Sequence, residues 1–179
     1  VNAFIERAKK LKIGNGMDEG VELGPLSTAK RLEEIEKLVE TTKTEGANVL
    51  MGGKRPSGFN KGYFYEPTVF DNVKDNFTIM TEEPFGPLTP LLTFNNFDDV
   101  IKRANNQVAG LASYVCTNSN ELANKTSEAL ETGMVAVNTP FISNAETPFG
   151  GIKQSGYGRE GGSMGIKDYL NIKYTHLGV

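Results

Sequence analysis

The sequence predicts an α/β domain in which a mostly parallel β-sheet is flanked by helices. Helical and strand-like patterns alternate along the chain, and the strands in its middle are nearly continuous in apolar residues. Apolar strands of this kind are typical of parallel sheets that are covered on both faces. The length of 179 residues is enough for one domain with a hydrophobic core.

Two helices are predicted in the first quarter of the chain. The first starts at the N-terminus and ends before the glycines at positions 14 and 16, which favour turns. Its apolar face consists of Val1, Phe4, Ile5, Ala8 and Leu11. Ser27 or Thr28 is expected to cap a longer helix that continues to about Thr44. The predicted buried stripe of this helix consists of Leu32, Ile35, Leu38, Val39 and Thr42.

Three strands are expected to follow the long helix. Residues 48–53 form a short apolar run that ends on two glycines. Residues 63–70 are rich in aromatic and β-branched side chains, although Pro67 indicates a sheet edge or a bulge. Residues 87–94 form another apolar strand.

The second half of the chain continues the alternation. A helix is predicted with Asp98 and Asp99 in its first turn and Lys102 and Arg103 near its last, which suits the helix dipole. Its inward face is expected to carry Val100, Ile101 and Ala104. The elements predicted after it are a strand at 112–117, a helix capped by Asn118 or Ser119 that runs to about Glu131, a strand at 134–138, a short helix near 162–168 and a last strand from 169.

Composition and charge exclude several classes of function. The net charge is −3, from 19 basic and 22 acidic residues, which argues against a nucleic-acid or anionic membrane surface. No apolar run approaches the roughly 18 residues of a membrane span. The single cysteine, Cys116, fits a reducing compartment, and we expect a cytoplasmic protein. One cysteine and one histidine, His176, argue against a zinc site.

A G-x-G-x-x-G pattern occurs at Gly156, Gly158 and Gly161. As a dinucleotide-binding loop it would need a buried strand before it, a helix after it and an acidic residue about 20 positions later. The preceding TPFGGIKQS is not strand-like, and the remaining chain is too short for a helix and a strand. We therefore interpret the pattern as a surface loop whose glycines permit positive φ.

Two other places could carry chemistry. Cys116 lies in an apolar strand, where a thiol is expected to be buried and inert. Glu82 and Glu83 precede a Pro-Phe-Gly-Pro turn. They are either two solvated carboxylates or, at a strand entrance, acceptors for the vicinal hydroxyls of a sugar, because a carboxylate has two acceptor oxygens.

An ordered set of motifs carries a resemblance to a known family. The motifs are KIGNGMDEG, GPLS, EGANVLMGGKR, GYFYEPTVF, EEPFGP, MVAVN and PFGGIKQSGYGRE. In this order they resemble the C-terminal half of the NAD(P)-dependent aldehyde dehydrogenases, over essentially the whole chain. The ISN before ETPFGG and the final GREGGSMGIKDYLNIKY are most similar to members that oxidise succinate semialdehyde and other carboxylated semialdehydes. Thr139-Pro140-Phe141 departs from that pattern, since a glycine is expected near Pro140.

The resemblance implies a three-layer catalytic domain and an aldehyde oxidised to an acid with NAD or NADP. It implies that residues 1–162 form most of that domain and that residues 163–179 form a C-terminal helix and oligomerisation arm. The nucleophilic cysteine, the general-base glutamate, an oxyanion-hole asparagine and the main cofactor domain would all precede Val1. Because the chain starts with valine on an apolar helical face, we expect a fragment, inactive by itself.

The resemblance also assigns roles to residues of this chain. Glu83 would hold the ribose next to the nicotinamide, and Phe85 would pack against that end of the cofactor. Ser143 and Phe149 would line the aldehyde pocket. The whole enzyme would be a homodimer or homotetramer, with subunit contacts at Arg159, Tyr169, Leu170, Ile172 and Tyr174. The alternative is a non-enzymatic module with the same fold that binds a protein partner.

Overall fold

The computed structural model describes residues 1–178, which divide into two compact units. The first unit runs from Val1 to Thr93, and the second begins at Phe94. Each unit has its own helices and strands and is described by itself. The boundary between these units lies after Thr93, whereas the sequence predicted a boundary between residues 162 and 163. The predicted boundary concerned the domains of a complete enzyme, and it stays a prediction.

Three helices belong to the first unit: α1 (Asn2–Ala8), α2 (Ala29–Thr44) and α3 (Thr78–Thr81). The Thr28 hydroxyl caps α2 by accepting a hydrogen bond from the Arg31 amide at 3.1 Å, which decides between the two predicted capping residues. The predicted buried stripe is confirmed, since the buried residues of α2 are Leu32, Ile35, Leu38, Val39 and Thr42.

One sheet forms in the first unit, from β1 (Asn48–Met51), β2 (Thr68–Asp71) and β3 (Leu88–Pro90). Its central strand is β2, which pairs antiparallel with β1 and parallel with β3. Phe70 and Val69 of β2 are fully buried, and Phe70 packs with apolar residues of the α2 stripe in the core. The strand expected at 63–70 begins only at Thr68, immediately after Pro67, whose nitrogen carries no hydrogen to donate to a neighbouring strand.

Two α-helices belong to the second unit, α4 (Phe97–Asn105) and α5 (Asn120–Ala129). Asn96 caps α4 by accepting from the Asp99 amide, and Ser119 caps α5 by accepting from the Leu122 amide. Of the predicted inward face of α4, Val100 and Ile101 are only half-buried and Ala104 is exposed, and all three line an open apolar groove.

Four strands complete the second unit: β4 (Ala109–Gly110), β5 (Ala112–Val115), β6 (Met134–Val137) and β7 (Ile152–Lys153). β5 and β6 are parallel, with α5 as the crossover between them, and β4 pairs antiparallel with β7. Within residues 1–178 the strands thus form three small sheets. Two of the four strand pairings are antiparallel and two are parallel, so the expected single, mostly parallel sheet is not observed. Local patterns predict strands, whereas pairing depends on contacts that are distant in sequence.

The C-terminal segment differs from the prediction in its local structure. A 3-10 helix spans Gly165–Tyr169, slightly later than the helix expected near 162–168. Residues 170–178 form no strand within the described chain, and Leu170, Ile172 and Tyr174 are exposed. An arm that pairs with another subunit has no partner in a single chain, so that pairing stays a prediction.

Candidate functional site

The segment that carries Glu83 and Phe85 follows α3 and is anchored at its start. The half-buried Glu45 carboxylate, at the end of α2, accepts from the Thr78 amide at 3.0 and 3.1 Å and from the Thr78 hydroxyl at 2.6 Å. These contacts attach the first residue of α3 to the end of α2. Glu82 and Glu83 follow one helical turn later.

The same segment is anchored at its end by a hydrogen bond and by close packing. The Pro87 carbonyl accepts from the Thr68 amide at 2.8 Å, next to the β2–β3 pairing. Gly86 lies so close to Ile35 of α2 that a Cβ there would be 2.5 Å from the Ile35 Cδ1. Glu83 and Phe85 are thus held between two fixed points while their side chains remain exposed.

Phe85 has two unusual properties. Its side chain is 67% exposed, and its φ of +44° places its backbone in the left-handed region that non-glycine residues rarely adopt. The Arg31 guanidinium lies over the ring, with Cζ 5.6 Å from the centroid. Arg31 Nη1 is also 2.9 Å from Glu34 Oε2, so the guanidinium is fixed from two sides.

A groove of about 530 Å³ separates α2 from the segment that carries Glu83. Ile35 and Leu38 contribute to its apolar part, and its charged groups are Arg31, Glu34, Lys37, Glu82 and Glu83. An exposed carboxylate with two acceptor oxygens, two residues from an exposed aromatic face, fits a sugar diol attached to a flat ring. The residue types present therefore fit the ribose and nicotinamide of the cofactor implied by the resemblance.

A second cavity, of about 420 Å³, lies in the second unit and brings together Ser143 and Phe149. Its wall is built by a two-stranded bridge in which Phe149 and Glu160 exchange amide-to-carbonyl hydrogen bonds at 2.7 Å. The Asn144 side-chain oxygen orders the adjacent turn by accepting from the Glu146 and Thr147 amides at 2.9 and 3.0 Å. Ser143 is exposed and Phe149 is half-buried.

The glycine-rich loop has the geometry of a surface turn. Gly156, Gly158 and Gly161 have φ values of +107°, +81° and +69°. A two-residue strand precedes them and a 3-10 helix follows, which supports the interpretation that this is not a dinucleotide loop. Arg159 stabilises the loop by donating to the carbonyl oxygens of Gly151 and Gly158 at 2.8 and 2.7 Å.

The expectation that Cys116 is buried is wrong. The residue is exposed, because it follows the last residue of β5 and lines the open apolar groove of about 660 Å³ beside α4 and α5. The apolar neighbours in sequence predicted burial, but within residues 1–178 β5 pairs with β6 and leaves this groove open. In the described chain His176 contacts the Tyr174 hydroxyl, at 3.4 Å.

Residues 1–178 contain neither a candidate metal cluster nor a membrane-spanning helix. No group of three or more His, Cys, Asp or Glu side chains in residues 1–178 is placed to hold a metal ion. Within the same residues, no helix has the length and apolar character that crossing a membrane requires.

Sequence reasoning missed Arg31, Glu34 and Glu45. Arg31 and Glu34 are partly exposed residues of an amphipathic helix, where charged residues need no special explanation. Nothing local to α2 indicates contact with Phe85 or Thr78, which are far away in sequence.

The two units have the helices and strands of an α/β protein, and the groove beside Glu83 is its candidate binding surface. The chain belongs to the aldehyde dehydrogenase family, whose sequence model matches residues 1–175. The motif-based resemblance to this family is thereby confirmed.

Individual relatives in this family are similar to the chain over nearly its whole length. The chain is 44% identical over 178 residues to mitochondrial succinate-semialdehyde dehydrogenase of rice, Oryza sativa, covering 99% of this chain and 33% of the relative. It is 44% identical over 182 residues to glutarate-semialdehyde dehydrogenase of Pseudomonas putida, covering 99% of this chain and 37% of the relative. The NAD+ complex of aldehyde dehydrogenase from Bacillus cereus matches with a TM-score of 0.92 and 42% identity, over 96% of this chain and 35% of that one. This chain thus spans about a third of the length of these relatives.

Proposed function

We propose that this chain is the C-terminal part of an enzyme that oxidises a carboxylated semialdehyde, with succinate semialdehyde the leading candidate, using NAD or NADP. The observation that carries the proposal is the pair of exposed side chains Glu83 and Phe85, held on one segment beside a groove. The enzyme names of the rice and Pseudomonas relatives support the substrate class, since both substrates are aldehydes with a distant carboxylate.

In this proposal the first unit holds one end of the cofactor. The Glu83 carboxylate accepts hydrogen bonds from the two hydroxyls of the ribose next to the nicotinamide. The Phe85 ring packs against the same end and keeps water away from it. When bound, the cofactor supplies a hydride acceptor for the aldehyde.

The second unit contributes to the aldehyde pocket. The Ser143 hydroxyl donates a hydrogen bond to the distant carboxylate of the substrate, and Phe149 provides apolar contact for the carbon chain. The cavity that contains both residues supports this assignment. The adjacent Asn144 turn orders the backbone next to Ser143.

The nucleophile, the general base and the oxyanion-hole asparagine are not assigned to residues of this chain. Cys116 is not proposed as the nucleophile, although it is exposed, because no histidine or other base is found beside it among the residues that line its groove. The 179-residue chain is therefore expected to be inactive by itself. The non-enzymatic alternative is not proposed, because the relatives matched over nearly the whole chain are dehydrogenases.

The exposed apolar side chains near the C-terminus are assigned to subunit contact, in a homodimer or homotetramer of the complete enzyme. Tyr169, Leu170, Ile172 and Tyr174 are all more than half exposed in the single chain. Arg159 stabilises the adjacent loop and thereby the surface from which this segment departs.

The proposal is tested with the complete enzyme that contains this chain. NADH and NADPH formation is followed with succinate semialdehyde and with propanal. We expect higher kcat/KM for succinate semialdehyde. Preference for propanal would contradict the proposed substrate class, and no turnover with any aldehyde would contradict the proposed activity.

A further inference from the structure

Arg31 is unusually well fixed for a charged residue at a helix surface. Its amide is held by the Thr28 cap at 3.1 Å, and its guanidinium is held by Glu34 at 2.9 Å. The side chain is 32% exposed, so it lies against the protein for much of its length. A guanidinium fixed in this way can orient an aromatic ring that lies against it.

The group beneath it is the Phe85 ring, at 5.6 Å from the Arg31 Cζ to the centroid. Phe85 needs such a contact, because it is 67% exposed and its φ of +44° is unfavourable for a residue with a Cβ. A cation over the face of an aromatic ring is attracted by the ring's electron density. The contact therefore restricts a ring that solvent would otherwise leave free to change rotamer.

We propose that Arg31 is a positioning residue for cofactor binding and that it acts through Phe85. The guanidinium, oriented by Glu34, holds the ring in the orientation in which the ring packs against the cofactor. This inference rests on the proposed function, because it uses the cofactor contact proposed for Phe85. It goes beyond that proposal in assigning a role to a residue of α2 that lies outside the EEPFGP segment.

A double-mutant cycle tests whether Arg31 acts through the ring. Four forms of the complete enzyme are compared: wild type, Arg31→Gln, Phe85→Ala and the double variant. Glutamine keeps most of the side-chain length and a high helix propensity, but it lacks the positive charge and the planar guanidinium group of arginine. The readout is the Kd for NADH or NADPH, whichever the wild type binds more tightly, from the fluorescence of the reduced cofactor.

Arg31→Gln should raise the cofactor Kd about two- to fivefold in the presence of Phe85, the range that an exposed cation–π contact supports. In the Phe85→Ala background the same substitution should leave Kd unchanged. Equal effects in both backgrounds would mean that Arg31 acts independently of the ring, for example by contacting a cofactor phosphate, and would overturn the proposal.

Lys30→Gln is the matched control. Lys30 precedes Arg31, its side chain is 85% exposed, and its Nζ is 3.8 Å from the same Glu34. The substitution removes one positive charge from the same helical turn without touching Phe85, so Kd should stay at the wild-type value. A rise equal to that of Arg31→Gln would show a general charge effect and contradict positioning.

Turnover of aldehyde by the wild type separates the two proposals. If the wild type binds cofactor with the expected coupling but oxidises no aldehyde, the proposed activity fails and the role of Arg31 stands. If the wild type oxidises succinate semialdehyde and the effects of the two substitutions on the cofactor Kd are additive, the proposed activity stands and only the role of Arg31 is wrong. If it binds neither NADH nor NADPH, both are wrong.

Discussion

Glu45 and Thr78 are joined by three hydrogen-bond contacts, two from the Thr78 amide and one from its hydroxyl. Through them Glu45, the residue that follows α2, holds the first residue of α3, and α3 leads directly into Glu82 and Glu83. The position of the proposed ribose-binding carboxylate thus depends on a side chain that never touches the groove.

Glu45→Ala should lower the free energy of unfolding by about 1.5–3 kcal/mol, because the Thr78 amide and hydroxyl lose a charged acceptor in a half-buried site. Urea unfolding followed by circular dichroism measures the change. Glu33→Ala, at an exposed position of the same helix, is the control and should have little effect. Equal loss in both variants would mean that the contact with Thr78 contributes nothing specific.

Glu83→Gln in the complete enzyme should raise the KM for the cofactor roughly tenfold or more, since the amide has lost the charge and one acceptor of the proposed ribose contact. Steady-state kinetics at varied cofactor concentration measure the effect. Glu82→Gln is a matched control, because Glu82 is an exposed carboxylate that lines the same groove but is not assigned to the ribose contact. Unchanged kinetics in Glu83→Gln would show that Glu83 is a solvated carboxylate and nothing more.

Ser143→Ala should lower kcat/KM for succinate semialdehyde by roughly tenfold or more, because a hydrogen bond to the substrate carboxylate is lost. Propanal has no carboxylate, so its kcat/KM should hardly change. A similar decrease with both aldehydes would assign Ser143 a structural role in the cavity it shares with Phe149.

Stability at alkaline pH should depend on Tyr65. Burial, together with the nearby carboxylates of Glu36, Glu40 and Glu66, raises the pKa of Tyr65 from its ordinary value of 10 to about 12. Because the folded state holds the proton more tightly, the associated stabilisation is complete below pH 10 and is lost as pH rises from 10 towards 12. The loss amounts to about 2–3 kcal/mol.

Urea unfolding between pH 9 and 12 checks this expectation, with Tyr65→Phe as the comparison. The variant has no ionisable hydroxyl at this position, so its stability should fall less steeply over the same pH range. Parallel curves for the two proteins would rule out Tyr65 as the source.

Removal of residues 169–179 from the complete enzyme should produce smaller or aggregated species, because the segment exposes Leu170, Ile172 and Tyr174, which are expected to pair with another subunit. Light scattering coupled to size-exclusion chromatography measures the mass. An unchanged oligomer would count against the proposed arm.

Family membership and the helices α1, α2, α4 and α5 could be predicted from the sequence, because both depend on short segments, whereas the four-residue α3 was not predicted. The apolar residues of α2 recur with the period of a helix, and Thr28 lies where a capping hydroxyl is needed, so its position and buried face follow from neighbours along the chain. The two carboxylates and the aromatic ring of the EEPFGP segment were likewise recognisable as one candidate site.

The tertiary structure decided which of these local features meet. Strand patterns alone did not show that β2 would start only after Pro67, or that β5 would leave Cys116 exposed beside an open groove. They also gave no sign that Arg31 lies over Phe85 or that Glu45 holds Thr78. The physical reason is that periodicity and capping act within a few residues, whereas strand pairing, burial and side-chain contacts join residues that only the folded chain brings together.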